Sequence, residues 1–382
     1  MAGASTGGSS GAAVSPVKIV NQSDKTFSAG TVHSAAIKTD GSLYTWGSNL
    51  QGQLGTGTLL SSLVSQLVPS TPTWSLVSAG SQFTIGLRSD GTFWTWGYNT
   101  NGQLGQSLLS NVTVATPTKL TLSAVPKDIS AGEAHAAMVL VDGSLWTWGR
   151  NASGQLGQGT TTDLNHPVQV GALKTWDSVS AGGTHTLAKK DGYLWGWGDN
   201  TSNQLGLSLS VPPSPSSQTT PIQINLMSDP VAVFSAGGAH SLAIGSTGAL
   251  WSWGSNSDGQ ACDGSNPINN AAPAIAAIRD TGPWLRVAAG GYHSLAIKAD
   301  GSLWSCGSNL YGQLGNGQSS ATGNAVLTRV GTDNTWVAIA AGKYHSMALK
   351  ADGSLWVWGR NDNGQLGLGN SVSPITSMLQ LH

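Results

Sequence analysis

The sequence is short of charge. Charged residues make up 9% of the 382-residue chain, 17 basic against 18 acidic, for a net charge of -1. Ordinary globular proteins carry about 25%. Such a balance sets up no field that would draw the chain to nucleic acid or to anionic lipid. Cysteine is nearly absent as well: Cys262 and Cys306 alone cannot build a disulfide framework and say little about redox compartment. No stretch approaches about 18 uninterrupted apolar residues, so the sequence predicts no membrane insertion. The opening MAGASTGGSSGAAVSP lacks the basic and apolar regions of a secretory signal. What is abundant is glycine, 52 residues, and tryptophan, 16 residues, a combination that suggests many tight turns around a large aromatic core.

One phrase recurs seven times: AG-x-x-H-x-x-A-x-x-x-DG-x-LW-x-WG-x-N-x-x-GQLG. Its first glycine falls at Gly30, Gly80, Gly132, Gly182, Gly237, Gly290 and Gly342, with spacings of 50, 52, 50, 55, 53 and 52. A near-constant period over almost the whole chain marks one repeat architecture and rules out unrelated domains. Residues 1–15 lie outside it as a Gly/Ser-rich N-terminal arm, and residues 16–382 form a single domain closed between N- and C-terminal strands.

Each part of the phrase predicts a strand or a turn. Asp-Gly between alternating apolar runs, as at Asp300-Gly301, signals a β-hairpin, because glycine tolerates the positive φ of the turn. The fourth copy is one residue shorter between His185 and Gly192, which predicts a distorted hairpin. Trp146 and Trp148, two apart on one strand, share a face, and the pattern predicts that both are buried between neighbouring sheets. Trp-x-x-Val/Ile before the Ala-Gly, as in Trp284 to Val287, gives another strand. A fourth, led by proline at Pro117, Pro167 and Pro221, suits a sheet edge, where a missing N–H costs nothing. Four strands per period of roughly 52 residues amount to a β-propeller blade.

The phrase resembles the repeat of the regulator-of-chromosome-condensation family. Seven copies in register imply that family's fold, an all-β, seven-bladed β-propeller of four-stranded antiparallel blades. Trp is followed by Gly in six of the seven copies, as at Trp46-Gly47 and Trp358-Gly359, whereas WD repeats end in Trp-Asp. Departures are Tyr44 and Cys306 for Trp, Phe83 for His, and Gln260-Ala261-Cys262-Asp263-Gly264 for the Gly-Gln-Leu-Gly ending. Proline-led strands occur at both chain ends, Pro16 to Val20 and Pro374 to Leu379, one more than seven blades require. One of them is expected to complete a shared first-and-last blade.

No catalytic, cofactor-binding or metal-binding residue is assigned. Six histidines sit at the repeat position: His33, His135, His185, His240, His293 and His345. One per blade is a ring rather than a converging ligand set, so each is expected to satisfy hydrogen bonds near its own turn. The Asn-x-x-Gly loops recur with and without carboxylates, as in Asn361 to Gly364 and Asn151 to Gly154, which points to turn chemistry rather than calcium. Lys38, Arg88, Lys190, Lys298 and Lys350 each precede an acid within two residues and read as solvated, locally neutralised loop residues. Gly3-Ala4-Ser5-Thr6-Gly7 matches G-x-S-x-G but lies in the Gly/Ser tail, away from any strand-to-helix turn.

These readings favour a non-catalytic, protein-binding or structural propeller without a cofactor. Its partner is another protein or an assembly subunit, held through a propeller face and by the N-terminal arm. Three features point to a virion component at a particle surface: a surface made of Ser, Thr, Asn and Gln, no visible signal sequence, and the Gly/Ser tail. The alternative is a microbial or extracellular inhibitory propeller. Nucleotide exchange on a small GTPase is disfavoured, because no Lys or Arg precedes Lys18 and Leu207 to Phe234 is only slightly longer than other connections. A cytoplasmic location is the alternative to the virion surface.

Overall fold

Runs such as HSLAIK and LWSCG alternate small and large apolar residues, and they pair across a glycine-containing hairpin turn. The computed structural model describes residues 25–71, 73–107, 112–207, 216–225, 230–265, 276–278 and 282–382. Within them the strands form seven antiparallel four-stranded sheets and no helix. The sheets are the blades of a propeller: 27–67, 74–120, 126–169, 176–223, 231–277, 284–329 and 336–380. In each, four consecutive strands, here a to d, run outward from the axis. In blade 3 they are Pro126–Ala131, His135–Leu140, Leu145–Gly149 and Leu164–Gln169.

Every described sheet is made of strands consecutive in the chain, blades 1 and 7 included. The C-terminal strand Ile375–Gln380 pairs with Leu355–Gly359 as the outer strand of blade 7. Ser62–Leu67 holds the same place in blade 1. Pro16 to Val20, residues 1–15 and the Gly3–Gly7 motif lie outside the described residues. Prolines of the outer strands fall inside them rather than at their starts, as Pro117 in Val114–Leu120 and Pro167 in Leu164–Gln169. One side of an edge strand has no ladder to lose.

The hairpins follow the glycine. In the usual copy Lys38 and Ser42 bracket a three-residue loop, with the Gly41 N–H donating to Lys38 O and Gly41 at φ +80°. Asp40 Oδ1 caps the loop by accepting from Ser42 N–H at 2.9 Å. The shortened fourth copy is not distorted, contrary to the sequence expectation. Lys190 pairs directly with Tyr193 across Asp191-Gly192, at φ +54° and +81°. This is a two-residue turn with both φ positive, whose twist matches the strands.

Strands a line a central channel, and their Ala-Gly ends show why glycine is needed there. A Cβ on Gly30 would lie 2.4 Å from Gly80 O, and one on Gly342 would lie 2.5 Å from Gly30 O. Seven such contacts run round the axis, each glycine pressed against the carbonyl of the next. Backbone bonds follow the same circle, from Glu133 N–H to Gly182 O, from Gly183 N–H to Gly237 O, and finally from Lys343 N–H to Gly30 O. At the rim, the loop after strand c docks on the outer strand of the next blade at six described boundaries, as Gly57 N–H on Ala115 O and Gly369 N–H on Leu63 O.

The two tryptophans of strand c do not share one environment. Trp148 is fully buried and packs on blade 2 with Phe93 and Leu104, while its Nε1 donates to Gln103 O at 2.9 Å. Trp146 is only half-buried, and its Nε1 donates to Ser144 Oγ. The expectation that both are buried therefore holds for the second alone. The two cysteines build no framework but pair with each other: Cys262 of blade 5 and Cys306 of blade 6 form a disulfide with their Cα atoms 5.6 Å apart. Replacing Trp148 by Ala should cost about 3–5 kcal/mol of unfolding free energy, as a large cavity does. Trp146→Ala should cost about half as much or less. Denaturant midpoints of the two variants check this, and equal losses would contradict the assigned faces.

Candidate functional site

The repeat histidines are where chemistry was first sought, and their partners lie across blade boundaries. His33 Nε2 meets Thr84 Oγ1 at 2.9 Å, His135 meets Thr186, His185 meets Ser241, His240 meets Ser294, His293 meets Ser346, and His345 closes the circle on Ser34 at 2.8 Å. The partner is always one residue past the histidine position of the next blade, not near the histidine's own turn. Each of these hydroxyls donates in turn to a glutamine carbonyl of the Gly-Gln-Leu-Gly phrase, as Thr84 Oγ1 to Gln53 O and Ser346 Oγ to Gln313 O. A hydroxyl that has spent its proton can only accept, so the histidine proton sits on Nε2. Phe83 interrupts the series between blades 2 and 3, and the residue it faces is Ala136 instead of Ser or Thr; both are fully buried. One polar link has become an apolar pair.

The Asn-x-x-Gly loops are internal scaffolding. Asn49 Oδ1 accepts from Leu54 N–H, and its Nδ2 donates to Thr58 O and Leu60 O. The same Oδ1 contact recurs at Asn151 and Asn361, which leaves no oxygen turned outward for a cation. The basic series is not simply solvated. Lys298 Nζ lies 4.2 Å from the Trp304 ring centre and 4.9 Å from that of Trp284. Lys350 and Lys190 sit likewise on Trp356 and Trp195, Arg88 on Trp94 at 3.8 Å, and Lys38 on Tyr44. A cation over a tryptophan face is held by the ring quadrupole, so aromatic contact helps fix these side chains, and Lys350 also pairs with Asp333 at 2.7 Å.

The channel opens on the face formed by the a–b and c–d loops. A cavity of about 250 Å³ sits among the Ala-Gly pairs, and Lys343 Nζ reaches Glu133 Oε1 across it at 3.6 Å. At the other end of the axis Lys25 pairs with Asp128 at 2.8 Å and donates to Ile129 O. Beside the mouth, blades 6 and 7 carry an aromatic patch. Tyr292 and Tyr344 stack with ring centres 5.1 Å apart, and Tyr311 meets Tyr344 edge-on at 5.1 Å. The Arg360 guanidinium lies 5.0 Å from the Tyr311 ring and is gripped by both oxygens of Asp362. Burial and the neighbouring tyrosines push the Tyr344 hydroxyl up to about 12, so it stays a donor. All three tyrosines are half-buried, and Leu310 beside them is exposed.

Sequence reasoning missed this patch because it sought what recurs. Positions equivalent to Tyr292 and Tyr344 hold Val32, Gln82, Ala134, Thr184 and Ala239 in the other blades. The signal was the departure. Among the described residues no group of three His, Cys, Asp or Glu is placed to hold a metal ion, and no helix is long and apolar enough to cross a membrane.

The chain matches the model of the RCC1-like domain over residues 128–381 and that of the regulator of chromosome condensation (RCC1) repeat over residues 40–87 and 90–139. It is 30% identical to the ultraviolet-B receptor UVR8 of Arabidopsis thaliana, over 91% of this chain and 79% of that protein. Identity to the human E3 ubiquitin-protein ligase HERC2 is also 30%, over 60% of this chain but 5% of that protein. Among solved structures, yeast RCC1 (Prp20) bound to Kap60 superposes with a TM-score of 0.79 at 20% identity, covering 100% of this chain and 91% of that one. Human WBSCR16 gives 0.78 at 20% identity over 89% and 94%. These relatives come from a plant, a yeast and a mammal, and the expectation of a virion component, or of a microbial or viral branch, draws no support from them.

The histidines set an acid limit. Burial pushes all six well below 6.5, to about 3 for His33, His185, His293 and His345 and to about 4 for His135 and His240. Between those values and 6.5 the unfolded chain binds more protons than the folded one. Stability is therefore complete above about pH 6.5 and is lost as the pH falls through that value toward 4 and below. All six histidines act in the same direction in that window, so unfolding takes up several protons. Guanidinium midpoints measured from pH 7.5 down to 4.5 should fall steeply, and uptake of only one proton on unfolding would contradict the buried, neutral ring. At the interrupted boundary, Phe83→His alone should destabilise by about 1–3 kcal/mol, since its Nε2 meets the Ala136 methyl. Ala136→Ser added to it should recover about 0.5 kcal/mol or more as coupling in a double-mutant cycle.

Proposed function

The chain belongs to the RCC1-like domain family, and from that premise we propose that it is a non-catalytic propeller that holds a partner protein against its a–b and c–d loop face. The observation that carries the reading is the Tyr292–Tyr344–Tyr311–Arg360 patch beside the channel mouth. Tyrosine and arginine dominate the energetics of protein interfaces, because they desolvate large areas at low entropic cost and still offer hydrogen bonds. Here the rings are stacked and Arg360 is locked by Asp362, so little freedom remains to be lost on binding.

The relatives support a binding platform rather than one chemistry. One is named as a light receptor, and the ligase matches over only 5% of its length. The solved yeast relative is described with Kap60, and a second yeast structure by its binding to Gsp1p and histones. Residues 1–15, the Gly/Ser-rich segment of the sequence, supply a second contact in this reading. Exchange-factor activity is the second reading, supported by a relative from Bos taurus named as a secretion-regulating guanine nucleotide exchange factor, 30% identical over 63% of this chain and 53% of that protein.

Cross-linked partners captured by the full chain, identified by mass spectrometry and then purified, should lose affinity for Tyr344→Ala and Arg360→Ala by about thirtyfold each, the effect of a hot-spot residue. Lys119→Ala, on the outer strand of blade 2, should leave binding unchanged. Wild-type affinity in both patch variants would place the partner elsewhere.

A further inference from the structure

Two departures from the repeat, 44 residues apart, fall at one blade boundary. The last glycine of Gly-Gln-Leu-Gly is Gly55, Gly105, Gly157, Gly206, Gly315 and Gly367 in six copies, and in the fifth it is Cys262. The second Trp of Trp-x-Trp is Trp46, Trp96, Trp148, Trp197, Trp253 and Trp358 in six copies, and in the sixth it is Cys306. Across ordinary boundaries these two positions touch. A Cβ on Gly55 would lie 2.7 Å from Trp96 Nε1, one on Gly157 2.9 Å from Trp197 Nε1, and one on Gly315 2.9 Å from Trp358 Nε1. The indole lies flat on the glycine because nothing projects from it, so neither residue can change alone. A side chain at the glycine position would strike the indole, and loss of the indole would leave a cavity the size of a Trp ring.

Blades 5 and 6 changed both. Cys262 holds the left-handed conformation of the glycine it replaces, at φ +59° against +65° to +71° elsewhere, a strained conformation for a residue with a Cβ. Its Cα lies 5.6 Å from that of Cys306, inside the usual span of a disulfide. The exchange also gives up the indole hydrogen bond to the glutamine carbonyl. Where Trp96 Nε1 donates to Gln53 O at 2.9 Å, Cys306 Sγ stands 3.8 Å from Gln260 O.

We infer that the Cys262–Cys306 disulfide is a covalent lock on the boundary between blades 5 and 6, standing in for the glycine–indole contact, and that this boundary is secure only when the pair is oxidised. The bond forms by exchange with a disulfide donor of the glutathione-disulfide class. One protein thiolate attacks the donor sulfur and releases one donor thiol, and the second protein thiolate then displaces the other. Two protein thiols become one disulfide, one donor disulfide becomes two thiols, and no other oxidant is required. Reduction reverses this. It leaves two small thiols where other boundaries have an indole, with the His240–Ser294 bond and the Gly264-to-Ala325 backbone bond still bridging the blades.

The test uses the full chain equilibrated with glutathione disulfide. Denatured without reductant and treated with iodoacetamide, it should gain no adduct by mass, and after dithiothreitol it should gain two. The melting temperature of the wild type should fall by about 5 °C on reduction, as for a disulfide closing a loop of this length. A Cys262→Gly/Cys306→Trp double variant, which restores the pair found at the other boundaries, should melt at the same temperature with and without dithiothreitol. Two adducts on the unreduced wild type would overturn the lock by themselves, whether or not the double variant folds. So would a wild-type melting temperature indifferent to reduction.

Discussion

The propeller depends on one carbonyl oxygen per blade boundary. The glutamine of Gly-Gln-Leu-Gly reaches the start of the next blade and offers its backbone oxygen there to two donors at once. Gln53 O accepts Thr84 Oγ1 at 2.8 Å and Trp96 Nε1 at 2.9 Å, Gln155 O accepts Thr186 and Trp197, and Gln365 O accepts Ser34 and Trp46 where blade 7 meets blade 1. Both lone pairs of a buried carbonyl are thereby satisfied, which is the condition for burying it at all. The rest of the phrase serves that oxygen. The asparagine five residues before the leucine holds the turn that aims it, the histidine orders the hydroxyl, and the glycine after the leucine lets the indole come close.

The two irregular boundaries show the same constraint by exception. Between blades 2 and 3 the hydroxyl arm is gone, because Ala136 carries none, and Gln103 O keeps only Trp148. The histidine that would have oriented the hydroxyl has become Phe83. Between blades 5 and 6 the indole arm is gone, and Ser294 still donates to Gln260 O at 2.7 Å. No described boundary has lost both arms. A ring of seven blades tolerates one missing arm at a boundary when an apolar pair or a covalent bond occupies the space, since removing a buried donor together with the group that served it costs far less than removing it alone.

The fold was legible because a period, a glycine hairpin and an alternating strand each have a local cause. Seven blades, four antiparallel strands per blade and the turn role of the Asn-x-x-Gly loops all follow from residues near in sequence. The partners were not legible, because a repeat states where a residue sits in its own blade and says nothing of what it meets in the next. His33 looked as if it should serve its own turn and instead reaches Thr84. Lys298 looked solvated beside Asp300, but strand pairing sets it opposite Trp284, where it lies over the Trp284 and Trp304 rings. Half-burial of Trp146 follows from the same geometry. The first Trp of strand c stands over the cation position near the hairpin, as Trp304 does under Lys298, whereas the second is covered by the neighbouring blade.

The patch on blades 6 and 7 follows from a different logic, and under the proposed function it is what would let a weakly charged propeller select its partner. The scaffold uses the glutamine carbonyl, the asparagine amide and the histidine Nε2 of the phrase internally. The positions the phrase leaves open are those between Ala-Gly and His and those flanking the loop glycine. In most blades these are small or polar, such as Ala134, Thr184 and Ala239. In blades 6 and 7 three of them are tyrosines that meet one another and Arg360. Stacked rings around a guanidinium provide directional, partly desolvated contact without net charge, because Asp362 balances Arg360. A partner held this way is recognised by shape and by hydrogen bonds rather than by long-range attraction. The binding step should accordingly depend little on salt, as expected where no extended field steers association.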